Sequence, residues 1–503
     1  MFKINFKKNS IYLSLIIFSL LISYILTSRY FPIEPDAANS SLVWRAFVTE
    51  GFSAFKNWQP TPDNWYFTTY PFNFLFFFLL NHDGKLPLIL STSSFIGLTA
   101  IYLTYIAYAI SKSRSSLLTL LSLVLLPSYV YTFGFAAHPF SHYSTNFFGV
   151  VAFSLAFINL KRKSLILTLT YSVISIFSSV SDPWFLATYF LPLLLTHAYF
   201  SFKKEISFKI TLILAIGFYI SMSHMVQRLF KLPIQRFKIV HFDQWRDNAG
   251  WAIEVLGKSL NLFFVNNTFT ILASVIIWLL VWLYSLRICI SKSSPATFVS
   301  IFSFLSVAGI ISSFIISYDL PADISARFFV NVICFVVVPV TLGYSFSRNP
   351  LVLLIFIIYI ASSTYSYSVN KTPLYDQEGN TKSFIAFLNK NNLYFGYGDY
   401  WKYSNSVNWL SSGSLHISPV IFDETDYHIK FDSIRVQTMK SWLTEKYIKA
   451  SPNRQFVAIP GLESDDSGKI RLEAIKKQLG EPDEKLTFQD MTIFVYNHKI
   501  PLK

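Results

Sequence analysis

Long apolar stretches separated by short polar connections recur along the first 370 residues of the chain. Because the hydrocarbon core of a bilayer, about 30 Å thick, requires roughly 20 apolar residues in a helix, these stretches predict membrane-spanning helices. About eleven spans are predicted, and an odd number places the two ends of the chain on opposite sides of the membrane. The predicted spans are 10–28, 86–110, 115–135, 145–160, 164–180, 184–201, 206–224, 260–286, 296–317, 328–346 and 350–369.

Beyond residue 370 the pattern changes to shorter elements of mixed type. Residues 378–392 place Phe384, Phe387 and Leu388 on one side of a predicted helix. A second helix is predicted at 468–479, and strand-like segments at 393–397, 415–421, 455–459 and 490–496. Alternating helices and strands are typical of a small α/β domain. The sequence therefore predicts a membrane domain at 1–370 and an α/β domain at 371–503.

The composition agrees with a membrane protein. Of 503 residues, 52% are hydrophobic and 14% are charged, whereas a soluble chain carries about 25% charged residues. The net charge of +14 belongs almost wholly to residues 1–370, which hold 25 Lys and Arg against 12 Asp and Glu; the remainder holds 17 against 16. The basic excess therefore lies in connections between spans, which argues against nucleic acid as a partner.

The basic residues also predict the orientation of the chain. They cluster at every second connection, from Lys3, Lys7 and Lys8 before the first span to Arg348 before the last. The positive-inside rule places these connections in the cytoplasm. Of the 12 acids before residue 370, eleven fall on the opposite side. We therefore expect a cytoplasmic N-terminus and a C-terminal domain outside the membrane.

An acidic pair, Glu34 and Asp36, directly follows the first predicted span. Partial burial raises the pKa of a carboxylate, so a pair in this position can act as a general base. It can equally hold a divalent metal ion or form a solvated turn fixed by Pro35. The residues alone name no certain cofactor and leave a divalent cation open.

The first outer loop, residues 29–85, is dense in aromatic residues. Such residues form either a belt at the membrane interface, which is their commoner use, or a stacking platform for sugar rings. The candidate pocket residues of this loop are Arg45, Trp65 and Tyr66.

Two short outer turns add further candidates. His138 and His142 would share one face of a helix and could bind a metal, but Pro139 interrupts that helix, so hydrogen bonding in a pocket is favoured. Asp182 and Trp184 can line the same cavity. An aspartate that precedes a proline also suits the start of a helix, so a capping role stays open for Asp182.

The predicted outer loop at 225–258 carries six Lys and Arg against three acids, contrary to the positive-inside bias. Arg and Lys hold phosphate groups through charge-assisted hydrogen bonds, so an anionic ligand would explain this charge. Contact with anionic lipid headgroups is the alternative. The candidate phosphate ligands are Arg236, Lys238, His241 and Arg246.

The layout of the chain resembles that of the GT-C superfamily of membrane glycosyltransferases: an acid directly after the first helix, a long outer loop, many helices and an outer C-terminal domain. The segment from Arg327 to Asn331, which follows Asp319, is similar to the Arg-aromatic segment that opens a late helix in bacterial members, although the usual following prolines are absent. The segment Asn392–Trp401 resembles a strand-and-turn motif of their outer domains.

This resemblance implies a polytopic all-α membrane domain of GT-C type and a C-terminal periplasmic α/β domain, in the bacterial inner membrane. Asp36, with Glu34 as second choice, would activate an acceptor hydroxyl for inverting attack on a polyprenyl-phosphate-linked monosaccharide. Arg327 and the basic loop would hold the donor phosphate, and Asp319 would lie in the substrate pocket. The outer domain would bind the acceptor, act as a lid or have a structural role.

The expected activity is that of a hexosyltransferase acting on a lipid-linked cell-surface glycan. Within the superfamily, glucosyltransferases that modify the O-antigen of lipopolysaccharide have this size and layout. A transporter or flippase, or a polymerase, for lipid-linked oligosaccharides is the alternative. Transporters place coupling ions near the midplane, whereas nearly all acids here lie in predicted outer loops. The expected partners are the donor, the glycan acceptor and membrane lipids.

Overall fold

The computed structural model describes residues 6–134, 136–235, 237–373 and 375–502, and the chain forms two units, each assembled from separate stretches of sequence. The first unit comprises Met1–Phe31, Pro62–Phe72 and Leu88–Leu374. The second comprises Pro32–Thr61, Asn73–Pro87 and Tyr375–Lys503. The domain boundary at 370/371 stays a prediction, and the packing adds that part of the first outer loop belongs to the same unit as the C-terminal α/β part.

Helices make up the regular structure of the first 370 residues, apart from one two-residue strand. Their bounds are Phe6–Tyr30, Asn39–Glu50, Ser53–Asn57, Thr69–Leu80, Lys85–Ser111, Arg114–Ser116, Leu117–Val124, Ser128–Thr132, Tyr143–Arg162, Leu165–Ser181, Leu186–Phe190, Leu191–Phe202, Phe208–Met222, Met225–Phe230, Phe242–Ser259, Thr268–Ile290, Ser294–Ser317, Asp323–Phe329, Val330–Ser347 and Pro350–Val369.

Among the described residues, seven helices are long and apolar enough to cross a membrane, so this part of the protein is a polytopic helical membrane domain. They are Leu13–Tyr30, Lys85–Ser111, Tyr143–Arg162, Thr268–Ile290, Ser294–Ser317, Asp323–Ser347 and Pro350–Val369. The other four predicted spans fall on shorter apolar helices, at Arg114–Val124, Leu165–Ser181, Leu186–Phe202 and Phe208–Met222. At 1.5 Å per residue these are shorter than the bilayer core, so the count of eleven stays a prediction.

The helix Val330–Ser347 forms the centre of the first unit. With the turn before it, 89% of its apolar window is buried, more than in any other of the seven helices. Phe335 packs on Phe302 with ring centroids 4.8 Å apart. A Cβ atom at Gly343 would lie 2.5 Å from the Ser285 hydroxyl oxygen, so only glycine permits this close helix approach.

The second unit contains the strands β1 to β8, at Trp58–Gln59, Phe395–Asp399, His416–Phe422, Ile429–Lys430, Thr438–Met439, Gln455–Pro460, Glu484–Phe488 and Met491–Tyr496. Six of them form a sheet in the order β4-β3-β2-β6-β8-β7, in which β3, β2 and β6 are parallel. The pair β1 and β5 forms a second, antiparallel sheet. The C-terminal helical segments are Glu378–Lys390, Tyr400–Ser404, Asn405–Leu410, Lys440–Leu443, Glu445–Ala450 and Asp466–Leu479.

Both faces of the six-stranded sheet are covered, as the run of buried residues in its strands requires. Phe456 packs with Phe384 of the helix Glu378–Lys390 on one face. The next residue of β6, Val457, packs with Leu472 on the other face, since successive side chains of a strand point to opposite sides. The C-terminal part is thus the expected α/β structure.

Arg45 fastens the helix Asn39–Glu50 within the second unit. Its guanidinium group pairs with the Asp83 carboxylate, with the second contact at 3.1 Å. It also donates to the carbonyl oxygens of Asn408 at 2.8 Å and Trp409 at 3.0 Å, near the end of the helix Asn405–Leu410. Sequence reasoning proposed Arg45 for a substrate pocket, whereas its donors here serve these protein acceptors.

We predict that Arg45→Ala lowers the free energy of unfolding by about 2 kcal/mol, because it leaves a half-buried carboxylate and two carbonyl oxygens without their donor. Thermal unfolding of the detergent-solubilised protein measures this loss. The matched control is Arg454→Ala, which removes an exposed pair with Glu484 and should cost little. Equal melting temperatures for both variants would contradict the structural role of Arg45.

Candidate functional site

The turn that carries Asp36 is held by the second acid of the pair. The carboxylate of Glu34 accepts hydrogen bonds from the backbone N–H groups of Asp36 at 3.0 Å and Ala37 at 2.7 Å. The preceding residue, Ile33, accepts from the Gln377 N–H at 2.8 Å, which ties the turn to the C-terminal part of the same unit. Glu34 therefore fixes the position of the Asp36 backbone.

The Asp36 carboxylate lies against a buried polar network of the second unit. The Tyr400 hydroxyl group is within hydrogen-bonding distance of both Asp36 Oδ1 and Gln437 Oε1, the latter at 3.0 Å. Asn39 donates to the Tyr400 oxygen at 3.3 Å, and Asn405 donates to Asn39 Oδ1 at 3.0 Å. The network fixes the orientation of the carboxylate.

Tyr400 acts as a neutral donor in this network. Burial, reinforced by the negative charges of Asp36 and Glu34, raises the pKa of Tyr400 above its usual value. The guanidinium carbon of Arg435 lies 3.5 Å from the centroid of the Tyr400 ring and 5.6 Å from that of Trp401. A cation is thus stacked on the ring whose hydroxyl group meets the carboxylate.

Sequence reasoning did not select Tyr400, Gln437 or Arg435 as site residues. The sequence did contain a signal for Tyr400, because this residue lies in the family-like segment Asn392–Trp401, directly after the acid that ends β2. Gln437 has a left-handed backbone with φ of 62°, which costs energy in a non-glycine residue and marks a constrained position. Nothing in the local sequence around Arg435 indicates its role.

A second cluster lies in the first unit, around Asp182. His142 Nδ1 pairs with the Asp182 carboxylate, which also accepts hydrogen bonds from the Thr145 hydroxyl at 2.6 Å and the Trp184 N–H at 3.1 Å. Burial alone would raise the pKa of Asp182, but the His142 charge and these hydrogen bonds hold it below its usual value. Asp182 is thus a buried carboxylate that stays charged.

Arg327 lines the same small cavity, of about 20 Å³, together with His142, Asp182 and Trp184. Its guanidinium carbon lies 4.9 Å from the centroid of the Phe328 ring. Its Nε atom is buried without a hydrogen-bond partner among the described residues. A buried donor of this kind is costly unless an acceptor is supplied, so the cavity is suited to an anionic or hydroxyl oxygen.

Asp63 is a titratable neighbour of this cluster that sequence reasoning recorded only as an outer acid. Burial raises the pKa of Asp63, and the Asp182 charge acts in the same direction, while His142 and Arg327 oppose both. A carboxyl group whose pKa is raised holds its proton more readily than a solvated one does.

Other candidates from the first-unit loops lie at varied positions. The Trp65 ring centroid is 5.8 Å from that of His142, which places Trp65 beside the cluster. His138 accepts the N–H of the second residue after it at 3.0 Å, in line with a hydrogen-bonding role. Tyr66 is partly buried, whereas Asp319 is exposed.

The predicted basic loop contains two helices, Met225–Phe230 and Phe242–Ser259, and its last base, Lys258, is partly buried and pairs with Glu254 and Asp323. Lys238, His241 and Arg246 are all exposed, and His241 pairs with the equally exposed Asp243 at 2.9 Å. Arg236 lies outside the described residues. The phosphate-binding role of this loop therefore stays a prediction.

Within the described part of the chain, one set of three side chains has the spacing to hold a metal ion: Asp423, Asp426 and His428, with ligand atoms within 4.8 Å of one another. Lys430 already pairs with the Asp423 carboxylate, so an ion would compete with an ammonium group. The divalent cation left open by the sequence thus has candidate ligands other than Glu34 and Asp36.

The fold is that of known membrane glycosyltransferases. ArnT from Cupriavidus metallidurans in the apo state superposes with a TM-score of 0.57 at 10% identity, over 97% of this chain and 98% of that chain. ArnT bound to undecaprenyl phosphate gives 0.56 at 10% identity, over 96% and 97%. The oligosaccharyltransferase AglB from Archaeoglobus fulgidus, in complex with an inhibitory peptide and a dolichol-phosphate, gives 0.52 at 11% identity, over 94% and 72%.

The resemblance found in the sequence is thus confirmed at the level of the fold, by similarity to an ArnT seen with undecaprenyl phosphate and an oligosaccharyltransferase seen with a dolichol-phosphate. No protein-family model matches the chain, and no curated protein matches its sequence. The likeness is therefore one of three-dimensional structure.

We predict that Asp182→Asn lowers the free energy of unfolding by about 3 kcal/mol, because it removes one charge of a buried pair. The low pKa of Asp182 keeps its carboxylate charged at neutral pH, so the full loss should appear there in thermal unfolding. Asp243→Asn is a matched control, since it alters an exposed His–Asp pair. A melting temperature of the Asp182 variant equal to that of the control would contradict the stabilising role of the pair.

Proposed function

We propose that this protein is a membrane glycosyltransferase that moves a monosaccharide from a polyprenyl-phosphate donor to a lipid-linked cell-surface glycan. The single observation that carries this proposal is Asp36, whose backbone N–H is held by Glu34 and whose carboxylate meets the Tyr400 hydroxyl group, in a chain with a fold similar to that of ArnT. That ArnT binds undecaprenyl phosphate and AglB a dolichol-phosphate supports a polyprenyl-phosphate donor here.

In the proposed reaction Asp36 accepts the proton of the acceptor hydroxyl group. The acceptor oxygen then forms a bond to the anomeric carbon of the donor sugar, and the bond from that carbon to the phosphate oxygen breaks. The polyprenyl phosphate leaves with the bonding electron pair, and attack from the opposite face inverts the configuration. Tyr400 holds the carboxylate in place and gives Asp36 a neutral partner, so the carboxylate keeps its charge until it takes the proton.

The donor phosphate is assigned to Arg327 in the first unit. A guanidinium group binds phosphate through two parallel hydrogen bonds, and the buried Nε atom of Arg327 supplies a donor without a protein partner among the described residues. Charge developing on the leaving phosphate would be stabilised there. The exposed bases Lys238 and Arg246, with His241, would attract the donor headgroup at the membrane surface.

The alternation of basic and acidic connections supports an inner-membrane location with the C-terminal part in the periplasm. A lipid-linked saccharide of the O-antigen type is the proposed acceptor, because both substrates would then be lipids of the same membrane. Trp65, Tyr66, His138, His142, Asp182, Trp184 and Asp319 keep their proposed roles in the substrate pocket.

Asp36→Asn should reduce sugar transfer by at least about 100-fold, because the amide cannot take the acceptor proton. The measurement is transfer from a panel of synthetic polyprenyl-phosphate monosaccharides to lipid-linked glycans by purified protein. Glu34→Gln should lose less activity, since its amide oxygen can still accept a backbone N–H. Asp432→Asn, at an exposed aspartate of the same unit, is the control for folding and charge.

Two outcomes of this experiment would overturn parts of the proposal. Wild-type transfer by the Asp36 variant would exclude Asp36 as the base. Absence of turnover with every donor in the panel, for a wild-type protein that melts cooperatively, would exclude the glycosyltransferase activity itself.

Arg327→Gln should raise the KM for the donor by at least about tenfold while leaving the KM for the acceptor unchanged, because a phosphate ligand acts on one substrate only. Initial rates over a range of donor concentrations measure this split. Arg348→Gln, at an exposed position on the predicted cytoplasmic side, is the control. An unchanged donor KM would remove Arg327 from the phosphate site.

A further inference from the structure

A pocket of about 430 Å³ lies at the carboxyl ends of the three parallel strands of the second unit. Its lining includes Asp399, Phe422 and Pro460, the last residues of β2, β3 and β6. The chain passes from β2 to β3 on one side of β2 and then to β6 on the other side, so the strand order reverses at β2. In α/β sheets, ligands bind outside the carboxyl ends of strands at such a switch point.

The size and the lining of the pocket fit a small organic ligand. Small-molecule sites typically have volumes of about 300 to 1,000 Å³ and combine aromatic side chains with a few placed polar groups. Trp401 supplies an indole ring that is 51% exposed. Tyr427 supplies a second aromatic ring to the lining. Its backbone is left-handed, with φ of 61°, and strained backbone conformations of this kind cluster at ligand-binding and active sites.

Arg471 gives the pocket a donor that the protein leaves unused. One terminal nitrogen of Arg471 donates to the Pro460 carbonyl oxygen at 2.6 Å, and the guanidinium carbon lies 5.3 Å from the centroid of the Tyr427 ring. These contacts fix the plane of the group. Its Nε atom is buried without a hydrogen-bond partner among the described residues, so the protein itself does not fully satisfy the donors of this group.

The pocket lining carries two cations and three acids, and a third cation lies just outside it. Arg435 and Arg471 face Asp399, Asp423 and Glu424. Lys430, just outside the lining, pairs with Asp423. A phosphate site would carry an excess of cations, whereas alternating guanidinium and carboxylate groups can donate to and accept from the hydroxyl groups of an uncharged ligand.

We infer that this pocket binds an uncharged saccharide, the sugar portion of the acceptor, with Trp401 and Tyr427 against its apolar faces and Arg471 on its hydroxyl groups. The inference rests on the proposed function and adds the place and chemical class of the acceptor. Arg435 connects the two regions, because it lines the pocket and stacks on Tyr400, whose hydroxyl group meets Asp36.

The test measures the binding of free saccharides to the full chain in detergent. The probes are methyl glycosides of glucose, galactose, mannose, rhamnose and N-acetylglucosamine and their disaccharides. Binding is detected by saturation-transfer NMR and quantified by titration. Inorganic phosphate serves as the anionic probe. Trp401→Ala should raise the Kd of the bound saccharides about tenfold, and Trp401→Phe should restore most of the affinity, because the ring supplies the contact.

Tyr394→Ala, at an exposed aromatic residue elsewhere in the same unit, is the matched control and should leave the Kd unchanged. Arg471→Met provides a second variant, which should also weaken saccharide binding.

The outcomes separate this inference from the proposed function. Saccharide binding that depends on Trp401 supports the inference even if no donor is turned over. Failure of every saccharide to bind, equal affinity in Trp401→Ala, an equal loss in Tyr394→Ala, or binding of phosphate in place of sugar would each overturn it, whether or not sugar transfer is observed.

Discussion

The hydrogen bond between Tyr400 and Asp36 ties the Asp36 side chain to the C-terminal part of the second unit, and the geometry of the candidate site depends on it. It joins residues 364 positions apart in the chain, and both are parts of constrained elements. Glu34 fixes the turn on one side, and Arg435 stacks on the tyrosine ring on the other. A carboxylate held in this way would lose little conformational entropy on meeting a substrate, which suits the role of base that we propose for Asp36.

The same constraint explains why part of the first outer loop packs with the C-terminal α/β part. Pro32–Thr61 is held by polar contacts with partners that are distant in the chain. Arg45 binds two carbonyl oxygens near the end of the helix Asn405–Leu410, and β1 pairs with β5. The α/β part therefore has a direct role in building the Asp36 region, beyond the lid, acceptor-binding and structural roles expected from the sequence.

Buried charges define the cluster of the first unit. In a low-dielectric environment, Asp182 stays ionised because His142, Thr145 and a backbone N–H together offset the cost of burial. Arg327, in the same cavity, keeps an unused donor. These buried charges and unused donors lower the stability of the fold, and proteins keep such groups mainly where polar chemistry is needed. Their presence beside a closely packed helical core distinguishes these candidate site residues from those that serve packing.

The sequence by itself determined the features that depend on local patterns. Apolar length located the seven long apolar helices and placed the other four predicted spans on shorter ones, but it missed helices such as Thr69–Leu80 and Phe242–Ser259. Alternation predicted the α/β part, and the position of Glu34 and Asp36 after the first helix marked this pair as a candidate site. Only the tertiary structure decided which residues meet Asp36, that Arg45 binds protein carbonyl groups, and that Arg327 shares a cavity with His142 and Asp182. The reason is physical: hydrophobic periodicity acts within a few turns of chain, whereas the partners of a buried polar group are set by packing between segments hundreds of residues apart.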